Sequence, residues 1–123
     1  MAIYESGENY LETILMLEKK TGSVRSIDIA NELNFSKPSI SRAMGILKND
    51  KLITIDEKGN ILLTEMGRIR ANKIYERHQV ILQFLVMVLG VDKDIAEQDA
   101  CKIEHVISEQ SFEKMKILVR ENS

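Results

Sequence analysis

The tightest constraint on this chain is the start of one helix. Ser36-Lys37-Pro38 sets a capping hydroxyl just ahead of the only proline in the sequence. Proline is tolerated in the first turn of a helix, where its missing N–H has no intrahelical partner anyway. The residues that follow, Ile40, Ala43, Met44 and Leu47, recur at i, i+3, i+4 and i+7. One side of this helix must therefore be buried and the other must face outward. The outward side carries Ser41, Arg42, Gly45 and Asn49, with Lys37 and Ser39 near the helix start.

The flanking segments fix what that helix belongs to. Tyr10, Leu11, Ile14, Leu15 and Leu17 predict a first helix over 8–20, stopping near Thr21-Gly22. Ser26 is placed to cap a short second helix carrying Ile29, Ala30 and Leu33, and Asn34-Phe35-Ser36 then makes a tight turn. Beyond Asp50-Lys51, Leu52–Ile55 and Ile61–Leu63 are β-prone runs joined by Asp56-Glu57-Lys58-Gly59-Asn60, whose glycine and asparagine suit a hairpin loop. Thr64 is placed to cap a long helix running to about Leu89, before Gly90. A fifth helix is expected from after Asp92 to Ile107, and a sixth, capped by Ser108 or Ser111, to near Glu121. This order predicts a mostly α chain with a small β wing. Residues 1–72 are expected to form a winged helix-turn-helix and residues 73–123 an α-helical domain, to which dimerisation and the metal-donor residues considered below are assigned. Apolar Ile81, Phe84, Leu85, Val88 and Phe112 fall on several faces of that second part, more than a small lobe can bury alone, so a homodimer is expected.

With 123 residues, 44% of them hydrophobic, the chain can bury one continuous core, perhaps in two lobes. No basic segment followed by an apolar stretch opens the sequence, and no run approaches the roughly 20 apolar residues that span a bilayer. A soluble, cytoplasmic protein without a membrane partner is expected. The net charge of −2 argues against nucleic acid only until its distribution is read: 1–22 carry −2, 23–78 carry +3 and 79–123 carry −3. In a helix-turn-helix, the second helix presents its N-terminal residues to base edges in the major groove of double-stranded operator DNA. Ser39, Ser41 and Arg42 are the candidates for base edges or nearby phosphates, and Lys37, Lys48, Lys51 and the wing residue Lys58 for the backbone.

A lone cysteine, Cys101, excludes an internal disulfide and leaves a thiol for packing, metal or chemistry. On a helix turning about 100° per residue, Glu97, Cys101, Glu104 and His105 fall within an arc of roughly 100°. Asn9 and Glu12 share a face of the first helix, and His78 lies on the fourth. Thiolate, imidazole and carboxylate donors from separate helices suit a first-row transition metal. Each also has a plainer reading: buried cysteine as a small hydrophobe, histidine satisfied within the core, glutamate as solvated surface.

Asn9-Tyr10-Leu11-Glu12-Thr13-Ile14, Asp28-Ile29-Ala30, Ser36-Lys37-Pro38-Ser39-Ile40-Ser41, Arg77-His78 and Cys101–His105 together resemble the diphtheria-toxin-repressor family, which includes the manganese transport regulators. The resemblance implies a homodimeric regulator, a repressor in most members, that binds palindromic operators when loaded with Fe(II) or Mn(II) and controls metal-homeostasis genes. It further implies metal contacts at Asn9, Glu12, His78, Cys101, Glu104 and His105. Cys101 stands where iron-type members have Cys, Glu12 where manganese-type members have Glu, and Glu97 where iron-type members place a second-site His. Metal is then expected to tie the first helix to the C-terminal part and so raise affinity for DNA. The alternative is a metal-independent winged-helix regulator with Cys101 as thiol sensor or packing residue. An enzyme is not expected: the Cys101-His105 pair at i, i+4 has no oxyanion loop, orienting third residue or Gly-rich cradle beside it.

Overall fold

A computed structural model describes residues 5–123, with side chains from Gly7 onward. Its elements are α1 (Glu5–Thr21), α2 (Ser26–Leu33), α3 (Lys37–Asn49), β1 (Ile53–Ile55), β2 (Ile61–Leu63), α4 (Glu65–Gln83), a π-helical segment (Phe84–Val88), α5 (Lys93–Ile103) and α6 (Glu109–Glu121). The chain divides into two compact units, Met1–Asn72 and Lys73–Ser123. Among the described residues, no helix is long and apolar enough to cross a membrane.

The first unit is the winged helix-turn-helix. Its core collects the apolar stripes of each element: Leu11, Ile14 and Leu15 of α1, Ile29 of α2, Ile40, Met44 and Leu47 of α3, with Ile53 and Ile61 from the hairpin. Ser36 caps α3 as expected, its hydroxyl accepting from the Ser39 N–H at 3.3 Å. The strands pair antiparallel, Ile53 opposite Leu63 and Ile55 opposite Ile61. The Asp56 carboxylate pins the loop between them by accepting from the N–H groups of Lys58 and Asn60, each at 2.9 Å, and Gly59 takes the positive φ of 84° that the turn demands. Val24 and Arg25 run along the outer edge of β2: Ile61 N–H donates to the Val24 carbonyl at 2.7 Å, and the Arg25 guanidinium donates to the Lys58 carbonyl.

Three expectations are corrected. Ser26 is the first residue of α2 rather than its cap. The cap is Arg25, whose N–H is taken by the Asp28 carboxylate at 2.9 Å, so a carboxylate three residues on does the work expected of the hydroxyl. The fourth helix is α-helical only to Gln83 and then widens, with Leu89 N–H bonding back to Phe84 O and Val91 N–H to Leu85 O before Gly90 at φ 73°. Helix α5 ends at Ile103 instead of reaching Ile107, because the Glu104 and Ile107 carbonyls turn toward the Arg77 guanidinium, at 3.3 and 3.1 Å.

In the second unit Ile81, Leu85, Ala96, Ala100 and Phe112 make the core, with Leu82 and Phe84 packed against it. Ile81, Leu85 and Phe112 were expected at a subunit contact and are instead spent inside the unit. The large apolar side chains left exposed here are Val86, Met87, Leu89, Ile95, Val106, Ile117 and Leu118.

Thr64 caps α4, accepting from Gly67 N–H at 3.0 Å while donating to the Lys51 carbonyl at 2.7 Å. This draws the first turn of α4 so close to the chain entering β1 that a Cβ on Gly67 would lie 1.9 Å from the Leu52 carbonyl oxygen. Gly67→Ala is therefore expected to destabilise the first unit by at least about 3 kcal/mol, the upper end of ordinary overpacking because the clashing atom is backbone. Chemical denaturation followed by far-UV circular dichroism measures it, and a loss under about 1 kcal/mol would contradict the packing described.

Candidate metal centre and DNA-binding face

In the second unit α4 supplies His78, α5 supplies Cys101, and the turn that follows α5 supplies Glu104 and His105. Ligand atoms of His78, Cys101 and Glu104 all lie within 4.8 Å of one another. His78 Nδ1 is 3.2 Å from Glu104 Oε2, and His105 Nε2 is 3.4 Å from Glu104 Oε1. Those contacts are close in distance without hydrogen-bond geometry, so His78 Nδ1 and both Glu104 oxygens are buried polar atoms that make no hydrogen bond among the described residues. Buried polar atoms are nearly always satisfied, and such an exception has a reason, of which an ion is one. Imidazole, thiol and carboxylate converging on one point fit a divalent transition metal.

Cys101 is exposed, which sets aside the reading of it as a core packing residue. Glu97, one turn before Cys101 on α5, does not point at this cluster. Its Oε1 lies 2.6 Å from His78 Nε2, the ring nitrogen on the far side. On α1, Asn9 is half-buried and its main-chain carbonyl accepts from the Thr13 hydroxyl at 2.8 Å, while Glu12 is buried.

Arg77 shapes the site from behind. Besides the Glu104 and Ile107 carbonyls, its guanidinium bonds the Glu109 carboxylate at 2.8 Å and lies over the Phe112 ring, 5.4 Å from the centroid. It thus satisfies carbonyls that the end of α5 would leave orphaned and fixes the backbone from which Glu104 projects. Arg77 was noticed in the sequence only as the neighbour of His78; nothing in a one-dimensional pattern joins it to residues 27 and 30 positions later.

On the first unit, Lys37, Ser39, Ser41, Arg42, Lys48, Lys51 and Lys58 are all exposed, and the Ser39 hydroxyl lies 2.9 Å from that of Ser36. Arg25, absent from the expected set, proves to be the residue that anchors the wing.

Residues 2–60 match the family model of the iron-dependent repressor N-terminal DNA-binding domain, and residues 64–122 match that of the iron-dependent repressor metal-binding and dimerisation domain. The chain belongs to the iron-dependent repressor family. Its members are metal-dependent transcriptional regulators, not enzymes, and the resemblance read from the residues is borne out. An HTH-type transcriptional regulator of Methanocaldococcus jannaschii is 32% identical over 116 residues, 94% of this chain and 93% of that one. Transcriptional regulator MntR of Escherichia coli O6:H1 is 31% identical over 115 residues, 94% of this chain and 74% of that one. The structure of the manganese regulator SloR superposes with a TM-score of 0.82 at 27% identity, over 98% of this chain and 55% of that one. The chain thus spans about half the length of that solved relative.

The electrostatics of this repressor-family site carry a pH consequence. The Cys101 side chain first, and then the Glu104 carboxylate, favour the charged imidazolium of His78 against the opposing effect of burial, and Glu97 adds to them; its pKa is pushed up to about 11. The folded value exceeds the ordinary 6.5, so the metal-free second unit has this stabilisation in full below about pH 6.5 and loses it as pH rises through 11. A metal must displace the His78 proton to use the ring. Binding of Mn(II) at pH 7 is accordingly expected to release at least one proton and to strengthen as pH rises from 6 to 8. Calorimetry in buffers of different ionisation enthalpy counts the protons; a count of zero would remove His78 from the ligands.

Proposed function

We propose that this chain is a transcriptional regulator, a repressor in its usual action, that binds operator DNA as a homodimer when loaded with Fe(II) or Mn(II) and so controls metal-homeostasis genes. The observation that carries the reading is the convergence of His78, Cys101 and Glu104, with buried His78 Nδ1 and Glu104 carboxylate atoms that make no hydrogen bond among the described residues. His105, 3.4 Å from Glu104, is a further donor. A bound divalent ion would supply positive charge that stays in place at neutral pH and holds these side chains together. Thiolate favours the softer, later ions and carboxylate favours manganese, so Cys101 argues for Fe(II), with Mn(II) close behind.

The exposed lysines, Ser39, Ser41 and Arg42 support DNA as the partner. The exposed apolar set in the second unit, Val86, Met87, Leu89, Ile95, Ile117 and Leu118, supports a second copy of the chain as the other. Joining two copies gives two recognition helices for a palindromic site. Coupling is reciprocal: if metal raises operator affinity, operator raises metal affinity by the same factor.

Anaerobic operator binding, titrated with each metal against a chelated blank, tests this. Fe(II) and Mn(II) should promote binding, Cys101→Glu should shift the preference toward Mn(II), and His105→Ala should abolish activation while leaving far-UV circular dichroism unchanged. Full-strength binding in the chelated blank, unaltered by metal, would leave a winged-helix regulator without metal control. On the DNA side, Arg42→Ala should weaken specific binding by roughly 1–3 kcal/mol and relax preference at one base pair. Lys58→Ala should weaken all sequences alike and reduce the salt dependence. Intact affinity and base preference in Arg42→Ala would misplace the reading helix.

A further inference from the structure

The carboxylate nearest to His78 is not one of the converging ligands. Glu97 Oε1 approaches His78 Nε2 at 2.6 Å, a short, charge-assisted contact. The two nitrogens of an imidazole point away from each other, and the other one, Nδ1, is the atom that faces Glu104 Oε2 at 3.2 Å. An ionised carboxylate can only accept, so Nε2 must be the donor, and a neutral His78 then has its lone pair on Nδ1, within the cluster formed with Cys101 and Glu104. The ring is 7% exposed whereas the Glu97 side chain is half-exposed. The carboxylate therefore reaches in from the solvent side to hold a buried ring. One turn beyond His78 on the same helix, Leu82 packs against the apolar core and offers no polar atom that would compete for the ring.

Resting on the metal-centre reading above, we propose that Glu97 is a positioning residue rather than a ligand: by fixing the tautomer and rotation of His78 it presents Nδ1 to the metal and raises the basicity of that nitrogen. The carboxylate–imidazole–metal relay sets how tightly the site binds without changing which atoms bind.

Co(II) and Zn(II) added to the 123-residue chain, reduced and anaerobic, separate the two roles. Wild type should give a thiolate-to-Co(II) charge-transfer band together with d–d bands. Its Zn(II) form should show, in long-range 1H–15N spectra, His78 ligated through Nδ1 with a protected Nε2–H. Glu97→Gln keeps an acceptor and removes the charge, so the shape of the Co(II) spectrum should persist while affinity falls. Glu97→Leu should cost about 10–100-fold in Co(II) affinity and expose Nε2–H to exchange. Because the Glu97 side chain is half-exposed, both variants should keep the wild-type far-UV spectrum. Co(II) affinity unchanged in both variants would overturn the proposal, as would Nε2 ligation in wild type or altered d–d bands in Glu97→Gln that mark a lost carboxylate ligand. A wild type that gives no thiolate charge-transfer band would instead overturn the metal-centre reading itself, and this proposal with it.

Discussion

Burial of the Glu104 carboxylate is the constraint around which the second unit is arranged. The residue is 1% exposed, and an ionised carboxylate taken that far from water costs several kcal/mol unless charge and hydrogen bonds compensate it. Among the described residues hydrogen bonds do not, since neither oxygen makes one there. Charge does: imidazole nitrogens of His78 and His105 stand 3.2 and 3.4 Å away, and the first is held protonated far above its ordinary range. In the metal-free protein the imidazolium plays the part of the cation. The proposed divalent ion would replace one proton with two charges at the same place, an exchange that the geometry already anticipates. Arg77 makes that geometry stiff, because it ties the Glu104 main chain and the Glu109 carboxylate to the helix carrying His78.

The first unit divides its charges: Arg25 anchors the wing and Arg68 pairs with Glu18 at 2.7 Å, whereas the cations of α3 and the Lys58 ammonium stay exposed. Lys58 illustrates this. Its N–H donates to Asp56 and its carbonyl accepts from Arg25, so the main chain is fully used in shaping the wing and only the ammonium is left for solvent or phosphate. A net charge of −2 hides this division: residues 79–123, with five Lys/Arg against eight Asp/Glu, hold an acidic excess, and α3, with Lys37, Arg42 and Lys48 and no carboxylate, a basic one.

Helix order, the hairpin and the Ser36 and Thr64 caps were legible because each rests on local rules within a few residues. Cys101, Glu104 and their relation to His78 were legible as a donor set, since helical periodicity brings the first two together. What failed were features decided by distant partners. The end of α5 was placed at Ile107, where apolar periodicity ends, yet the carbonyl traffic to Arg77 ends it at Ile103. Ser26 lost the cap position to Arg25, which is extended at φ −123° and ψ 164° and gives its N–H to the Asp28 carboxylate. Glu97 shares the helical arc of Cys101, Glu104 and His105, and the arc alone does not show that its carboxylate meets His78 at Nε2, on the other side of the ring. Ile81, Leu85 and Phe112 were assigned to a partner because sequence shows how much apolar surface there is and not how much of it one unit can fold around.

The distribution of exposure across the donor set bears on what kind of metal site this would be. A structural site buries all of its ligands and holds its ion against exchange. Here His78 and Glu104 are buried while Cys101 is exposed, so the softest donor is also the one open to solvent. An ion arriving from water would meet the thiol before the carboxylate, and leaving would need only that edge to give way. Sensing requires such an equilibrium with the free pool, because a regulator that never released its ion could report its presence once and its absence never. The exposed thiol therefore joins two properties that are separate in principle, the choice of ion through softness and the exchange of ion through access. Replacing Cys101 by a longer, harder carboxylate would alter both together, and the metal that activates such a variant would differ in how quickly it leaves as well as in how well it binds.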